Sequence, residues 1–429
     1  MRNLAILLTA TTLAACGGGA QSVSGTAVSA GVGGGTQTGS AGSTNVYAQF
    51  VTPTVSKTYS GIGASQVYVY STDERTPTNN NLGQGLIGSR GQQAVIYAGN
   101  ASSVRDSKIQ ITYDPRDAIF TLRVTDPRSG AEANTRFQDP ASRTNFGGAI
   151  EPQWGVDNFA DFPGIGQNNN IRFLQAGDGD PRSPYTRGGV GAVSPGSNTL
   201  RPTGDPGSTY QSTTMFYEVP GASTSYVSLA GYVRNAFKWV DVNGILQTQH
   251  QLERGAFAYG IVSDNATVPI TGSGTYTGNM IGSVVFNPTL DTNPNYPTFF
   301  QWMSGTSSTT VSFATGAVAL RLDGVVGAPK YDLNTTPHLA ALAAGATFTA
   351  SGTATVNLIN TGGFTGQMQS AAFSATTNGS SPTIVIAGSS IDGVFYGPAA
   401  NELGGGFRIT GGTPDQRIDI VGAFKGKKP

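Results

Sequence analysis

Residues Gly393–Ile409 read GVFYGPAANELGGGFRI, and residues 419–428 follow as DIVGAFKGKK. Aromatics, an acid, a proline and glycines crowd together here, as they do in reactive loops, phosphate cradles and tight strand–turn–strand junctions. A phosphate loop runs on into Lys-Ser/Thr and a helix, whereas Phe407-Arg408-Ile409 continues with strand character. The junction reading accounts for the residues better. Gly393, Gly397, Gly404 and Gly405 permit positive φ and close backbone approach. Pro398 presets the turn, and Glu402 is placed to accept from backbone donors there. Phe395 and Phe407 fill the wall of a sheet, and Tyr396 closes the first strand.

Upstream, the same texture repeats from about Gly255. GAFAYGIVS, GSGTYTGNMIGSVVF, TVSFATG, AVALRLDGVV, ATFTASGTATVNLI, GFTGQMQSAAFSA and TIVIAGSSIDGVFYG read as successive strands, completed by GGFRITG with RIDIVGAF. Gly, Pro, Asn or Thr turns separate them. Ile418, Ile420 and Phe424 alternate onto one face, Arg417 and Asp419 onto the other. About eight strands at this spacing predict a closed barrel or a sandwich, and closure removes exposed edges. A membrane pore would carry aromatic girdles and a lipid-facing apolar band. This chain instead ends FKGKKP, and its outward positions are rich in Thr, Ser and Asn, so a water-exposed barrel is expected.

Residues 45 to about 243 alternate short strands with polar loops. Gln66–Tyr70, Ala94–Tyr97, Lys108–Tyr113, Ala118–Val124 and Tyr226–Val242 have strand character, and Asp114–Asp117 is a hairpin turn. Between about Pro127 and Gly207 the chain reads as long Pro/Gly/Asn/Asp loops with scattered aromatics. Loops of that length are commonly functional. Rigid aromatic anchors dominate interfaces, which makes Trp154, Phe159 and Phe162 the candidate ligand-binding residues.

The first fifteen residues carry Arg2, a short apolar run from Leu4 and a Leu13-Ala14-Ala15 cleavage site, the pattern of a signal peptide. That run is too short to span a bilayer. Cys16 follows directly and is the single cysteine of the chain, which leaves no disulfide framework and no thiolate metal site. Residues 17–44 are Gly/Ser/Thr-rich and uncharged, a flexible tether with an average reach of roughly 30 Å. The expected organisation is a signal peptide over 1–15, Cys16 and tether over 16–44, a β-rich domain over 45–250 and a barrel over 251–429.

Lys+Arg and Asp+Glu are equal at 25 each, so no nucleic-acid footprint is present. The two histidines, His250 and His338, stand in unrelated contexts. Each reads as a surface or capping residue, with axial haem ligation as the rival use. No G-x-S-x-G elbow, Cys-His pair or carboxylate dyad stands out. Asp178-Gly179-Asp180 lacks the spacing of a Ca²⁺ loop. No catalytic residue, metal site or resident cofactor is expected, and the chain does not read as an enzyme.

Leu13-Ala14-Ala15-Cys16 resembles the bacterial lipobox, in which the cysteine becomes the lipidated first residue; Gly17, in place of an aspartate, implies sorting to the outer membrane. GVFYGPAANELGGGFRI with DIVGAFKGKK closely resembles the end of the barrel of transferrin-binding protein B. There a Gly-x-Phe-Tyr-Gly-Pro strand end, an Ala-x-Glu turn and a Gly-Gly-x-Phe strand start precede a closing Gly-x-Phe, here Phe424. GAFAYGIVSDNATVPITGSGTYTGNM looks like the opening hairpin of that barrel, and Val311–Gly316 like its central Val-Asp-Phe strand with Ser312 for the acid. The resemblance implies an all-β fold, a β-rich handle followed by an eight-stranded antiparallel barrel. It also implies a surface-exposed outer-membrane lipoprotein exported through a dedicated translocon. Such a protein captures an iron-carrier protein or haem as cargo and hands it to a TonB-dependent receptor. The alternative is a surface interaction or coat lipoprotein, comparable to complement-regulator binders, with a protein partner and no solute cargo.

Overall fold

The computed structural model describes residues 46–73, 96–97, 108–116, 119–125, 130, 132–138, 170–178, 209–242, 245–287, 299–328, 330–331, 342–360, 362–377, 379–412 and 416–429. Trp154, Phe159, Phe162, His338 and Cys16 with its flanking leader and tether lie outside the described residues. Residues 45–429 form one compact unit, distinct from residues 1–44. That unit holds every described strand and all the buried clusters.

The described structure is almost entirely β. After a short 3₁₀ turn at Val46–Phe50, the first sheet is built from β1 (Lys57–Asp73), β2 (Ile96–Tyr97), β3 (Ile109–Asp114), β4 (Ile119–Thr125) and β5 (Glu132–Gln138). It continues with β6 (Ile171–Asp178), β7 (Thr209–Glu218), β8 (Val227–Val242) and β9 (Ile245–Gly260). Its order is β5-β4-β3-β1-β9-β8-β7-β6, with β2 beside β1. The sheet curls on itself around a core that includes Ile111, Leu122, Phe137, Leu174, Met215 and Phe257.

The second sheet uses β10 (Ser273–Asn287), β11 (Phe299–Ser312), β12 (Ala317–Val326), β13 (Lys330–Tyr331) and β14 (Thr347–Asn357). It is completed by β15 (Gly363–Phe373), β16 (Ile386–Tyr396), β17 (Glu402–Gly411) and β18 (Arg417–Lys427). β10 pairs with both β11 and β18, so eight antiparallel strands close into a barrel, with β13 as a short addition on β11. Closure satisfies the backbone groups that an open edge would expose. Period-two alternation drives it: along β12 and β14 alternate residues are buried, and Val318, Leu320, Leu322, Phe348 and Ala350 point into the barrel core.

The fold is thus all-β with an eight-stranded antiparallel barrel, and four details differ from the sequence reading. GAFAYGIVS is not a barrel strand. Its first six residues, Gly255–Gly260, end β9, whose partners are β1 and β8, so the first sheet runs through Gly260 and past a division at residue 250. The opening hairpin does not form either, because β10 takes β11 and β18 as neighbours. Alternating apolar residues mark a strand without naming its sheet, and that choice is made by long-range pairing. Val311 and Ser312 end β11 while Phe313–Gly316 turn, with Gly316 at φ 72°. The supposed loop region from 127 to 207 contains β5 and β6, short strands whose flanking Pro and Gly hid them.

Candidate functional site: the polar seam between the sheets

The barrel turns one flank toward the first sheet, and the apolar part of this seam comes from both. Ile281, Val285, Phe300, Trp302, Val394, Tyr396 and Ala423 leave the barrel wall outward to meet Val227, Leu229, Val233, Ala256 and Ala258. On β18 this outward face holds Asp419, Val421, Ala423 and Lys425, all buried. The face opposite Ile418, Ile420 and Phe424 is therefore covered and not wet.

The stretch Gly393–Phe407 lies at the centre of this arrangement. Phe395, Phe407 and Phe424 are buried in the barrel core, whereas Tyr396 belongs to the seam. Gly393 stands directly across from Phe364, and a Cβ there would lie 2.2 Å from the Phe364 ring. The same pairing of aromatic over glycine recurs at Phe407 with Gly422, Phe216 with Gly231 and Tyr232 with Gly255. In each case the missing side chain gives a ring its place. Gly404 faces the other way: a Cβ there would come 2.9 Å from Val227 of the first sheet. Gly405 lies against the Asp392 carbonyl of the neighbouring strand. Pro398 opens a 3₁₀ turn after Gly397, which adopts φ 76° and ψ −178°, a region open essentially to glycine alone.

Glu402 accepts from donors of a distant segment and not, as the sequence suggested, from those of its own turn. Its Oε1 accepts the backbone N–H of Ser225 at 2.6 Å, and Oε2 accepts those of Tyr226 at 2.7 Å and Val227 at 3.0 Å. These donors begin β8 of the first sheet. Two strand positions over, the Lys425 ammonium donates to Ser223 Oγ at 2.7 Å and Thr224 Oγ1 at 2.6 Å. It also pairs with Glu218 Oε2 at 2.9 Å, with both side chains buried. Ser223 donates in turn to Glu218 Oε1 at 2.5 Å. Burial pushes the Glu402 carboxyl above its ordinary value, against the three N–H donors and Lys425, which favour its charge. Burial likewise lowers Lys425, and Glu218 and Glu402 oppose that shift.

A second polar contact crosses the seam nearer its middle. Arg254 on β9 donates through Nε to Ser283 Oγ on β10 at 2.8 Å, and Ser283 donates to Gln66 Oε1 on β1 at 3.2 Å. The guanidinium lies 4.6 Å from the centroid of Trp302, whose ring meets Phe216 edge-on at 5.0 Å. A desolvated cation over an aromatic face is worth about 2 kcal/mol.

These groups are engaged with protein atoms, so the seam acts as a clamp that sets one sheet against the other. Among the described residues no three His, Cys, Asp or Glu side chains are grouped to hold a metal ion. His250 lies on β9 opposite Tyr70 and Phe237. Sequence reasoning missed Glu218, Lys425 and Arg254. One signal was present for Lys425: its outward neighbours Val421 and Ala423 are apolar, which marks a covered face. Glu218 and Arg254 carried none.

Residues 268–428 match the family described as the C-lobe and N-lobe β-barrels of Tf-binding protein B. A double mutant of transferrin-binding protein B from Haemophilus parasuis Hp5 is 13% identical, with 87% of this chain and 76% of that one covered at a TM-score of 0.26. The isotype 1 protein from serogroup B Neisseria meningitidis is 11% identical, with 87% and 77% covered at 0.23. No curated protein sequence matches the chain.

Proposed function

We propose that this chain, whose residues 268–428 are a barrel domain of the transferrin-binding protein B family, is a binding protein and not an enzyme. It is anchored at the outer membrane through lipid on Cys16 and exposed on the cell surface. There it captures an iron source, either an iron-carrier protein or haem, for delivery to a TonB-dependent receptor. The observation that carries the reading is the family barrel clamped to a second curled sheet, preceded by a lipobox-like cysteine and an uncharged tether. The ligand-contacting residues of this proposal are Trp154, Phe159 and Phe162, on the segment between β5 and β6.

The test uses residues 45–429 in a haem titration followed at the Soret band and in pulldowns against iron-carrying host proteins. Saturable binding of either is expected, and Trp154→Ala should weaken it by about tenfold or more. A flat titration with no iron-carrying protein recovered removes the iron reading. A stable protein ligand without an iron-limited growth defect assigns the chain instead to the coat or interaction class. Protease shaving of intact cells reads the exposure, and the mass of the mature N-terminus reads acylation of Cys16.

A further inference from the structure

We propose that the end of the molecule at which residues 1–45 join it is a docking face for an anionic lipid surface. Strand direction defines this end. β10, β12, β15 and β17 start there and β11, β14, β16 and β18 finish there, as do the start of β1, the start of β8 and the end of β9.

The turns at this end touch one another. A Cβ at Gly221 would lie 2.8 Å from Val51, and the Tyr47 and Tyr226 rings meet at 5.6 Å. The Gly397 N–H donates to the Ile261 carbonyl at 3.0 Å, and Val262 bridges to Tyr396. Asn265 donates through its side chain to the Leu358 carbonyl at 3.0 Å. Phe313 donates its N–H to the Gly272 carbonyl at 2.9 Å.

Seven large apolar side chains are exposed among the described residues, and all but Val385 lie on these turns: Val46, Val51, Val55, Val262, Ile270 and Ile359. Ile270 is 78% exposed and Ile359, at the tip of the β14–β15 turn, 95%. Single exposed aliphatics are ordinary, but six on turns that touch one another make a grouped apolar surface.

The chemistry favours lipid over a protein partner. Protein interfaces are anchored by aromatics and Arg, whereas these side chains are all Val or Ile. Lysines flank them: Lys57 at the start of β1, and Lys427 and Lys428 at the end of β18, with Lys428 Nζ held 5.2 Å from the Tyr276 ring. Asp264 and Asp114 are acids of the same turns, the latter beside Arg116. Aliphatic tips that enter the headgroup layer with lysines around them are the means by which a folded domain rests on an anionic bilayer. The chain toward residue 45 leaves from this end at Val46, so an anchor at Cys16 would hold this end within roughly 30 Å of the membrane; that last point rests on the proposed lipidation.

The test uses residues 45–429, the compact unit that carries every described strand and core. Cys16 is absent from it, so I359C and V385C each take an environment-sensitive fluorophore at one site. With phosphatidylethanolamine/phosphatidylglycerol vesicles, the label at 359 should shift to the blue and lose access to aqueous iodide, while the label at 385 should not. I270S/I359S should keep the melting midpoint and lower vesicle partition about tenfold. K427Q/K428Q should lower it about tenfold on these vesicles and leave phosphatidylcholine vesicles unaffected. Equal iodide quenching at 359 and 385 overturns the proposal. So does shielding of 359 that grows with protein concentration without lipid, which assigns the face to a second copy, or shielding on cells but not on vesicles, which assigns it to a protein. Loss of the anchor reading appears separately, as an unmodified Cys16 in the full chain, and leaves the vesicle result standing.

Discussion

Glu402 accepts the backbone N–H of Tyr226 at 2.7 Å across 176 positions of chain. The carboxylate begins β17 of the barrel and the N–H sits at the entry to β8 of the first sheet. One side chain thus caps the start of a strand in another sheet.

Removing this acceptor should be expensive. Glu402→Ala leaves the N–H groups of Ser225, Tyr226 and Val227 without it, at an expected cost of about 3 kcal/mol, whereas Glu402→Gln keeps an oxygen and costs about 1 kcal/mol. Urea unfolding reads both as midpoint shifts. Equal midpoints for the Ala variant and the parent would show that the cap contributes nothing.

Lys425 and Glu218 should behave as a unit. Lys425→Met strands the buried Glu218 carboxylate and should destabilise by about 3–5 kcal/mol. Adding Glu218→Gln removes the uncompensated charge and should restore at least part of the loss. A double-mutant cycle by chemical denaturation measures this coupling; strict additivity would contradict it.

Two glycines with similar φ should differ in tolerance. At Gly397 a Cβ would meet the Tyr226 ring at 2.2 Å and the backbone holds ψ −178°. At Gly272, φ 77°, a Cβ would meet open space. Gly397→Ala should cost about 3 kcal/mol or more, and Gly272→Ala about 1 kcal/mol. Thermal melting of the pair tests the ranking.

Alkaline pH should unfold the protein through its tyrosines. Burial pushes Tyr59 up to about 12 and raises Tyr232, Tyr259, Tyr276 and Tyr396 as well. Near pH 10 the unfolded chain begins to lose phenolic protons that the folded chain keeps. The folded state then binds more protons, so stability falls as pH rises above about 10 and is flat below it with respect to these groups. Phenolate absorbance should lag in the folded protein and jump with the loss of near-ultraviolet circular dichroism. A smooth titration of all tyrosines near pH 10, without unfolding, would refute the burial.

Much of the barrel could be read from the chain. Alternation along AVALRLDGVV and ATFTASGTATVNLI is local information, and it placed β12 and β14 almost to the residue. The glycines and aromatics of Gly393–Phe407 pointed to a strand–turn–strand junction, and β16, Pro398–Ala400 and β17 form one. Strand membership was not legible in the same way. GAFAYGIVS has the texture of a barrel strand, yet Ala256 and Ala258 pair with β1 and β8 and turn toward the barrel from outside.

By itself, then, the sequence determined the class of fold and the closing run of strands, because these depend on neighbours two residues apart or on turn chemistry. Only the tertiary structure decided what Glu402, Lys425 and Arg254 do. Their partners, Ser225 to Val227, Glu218 and Ser283, lie on the opposing sheet, and a buried charge is tolerable only where folding delivers its counterpart. No local pattern encodes that meeting.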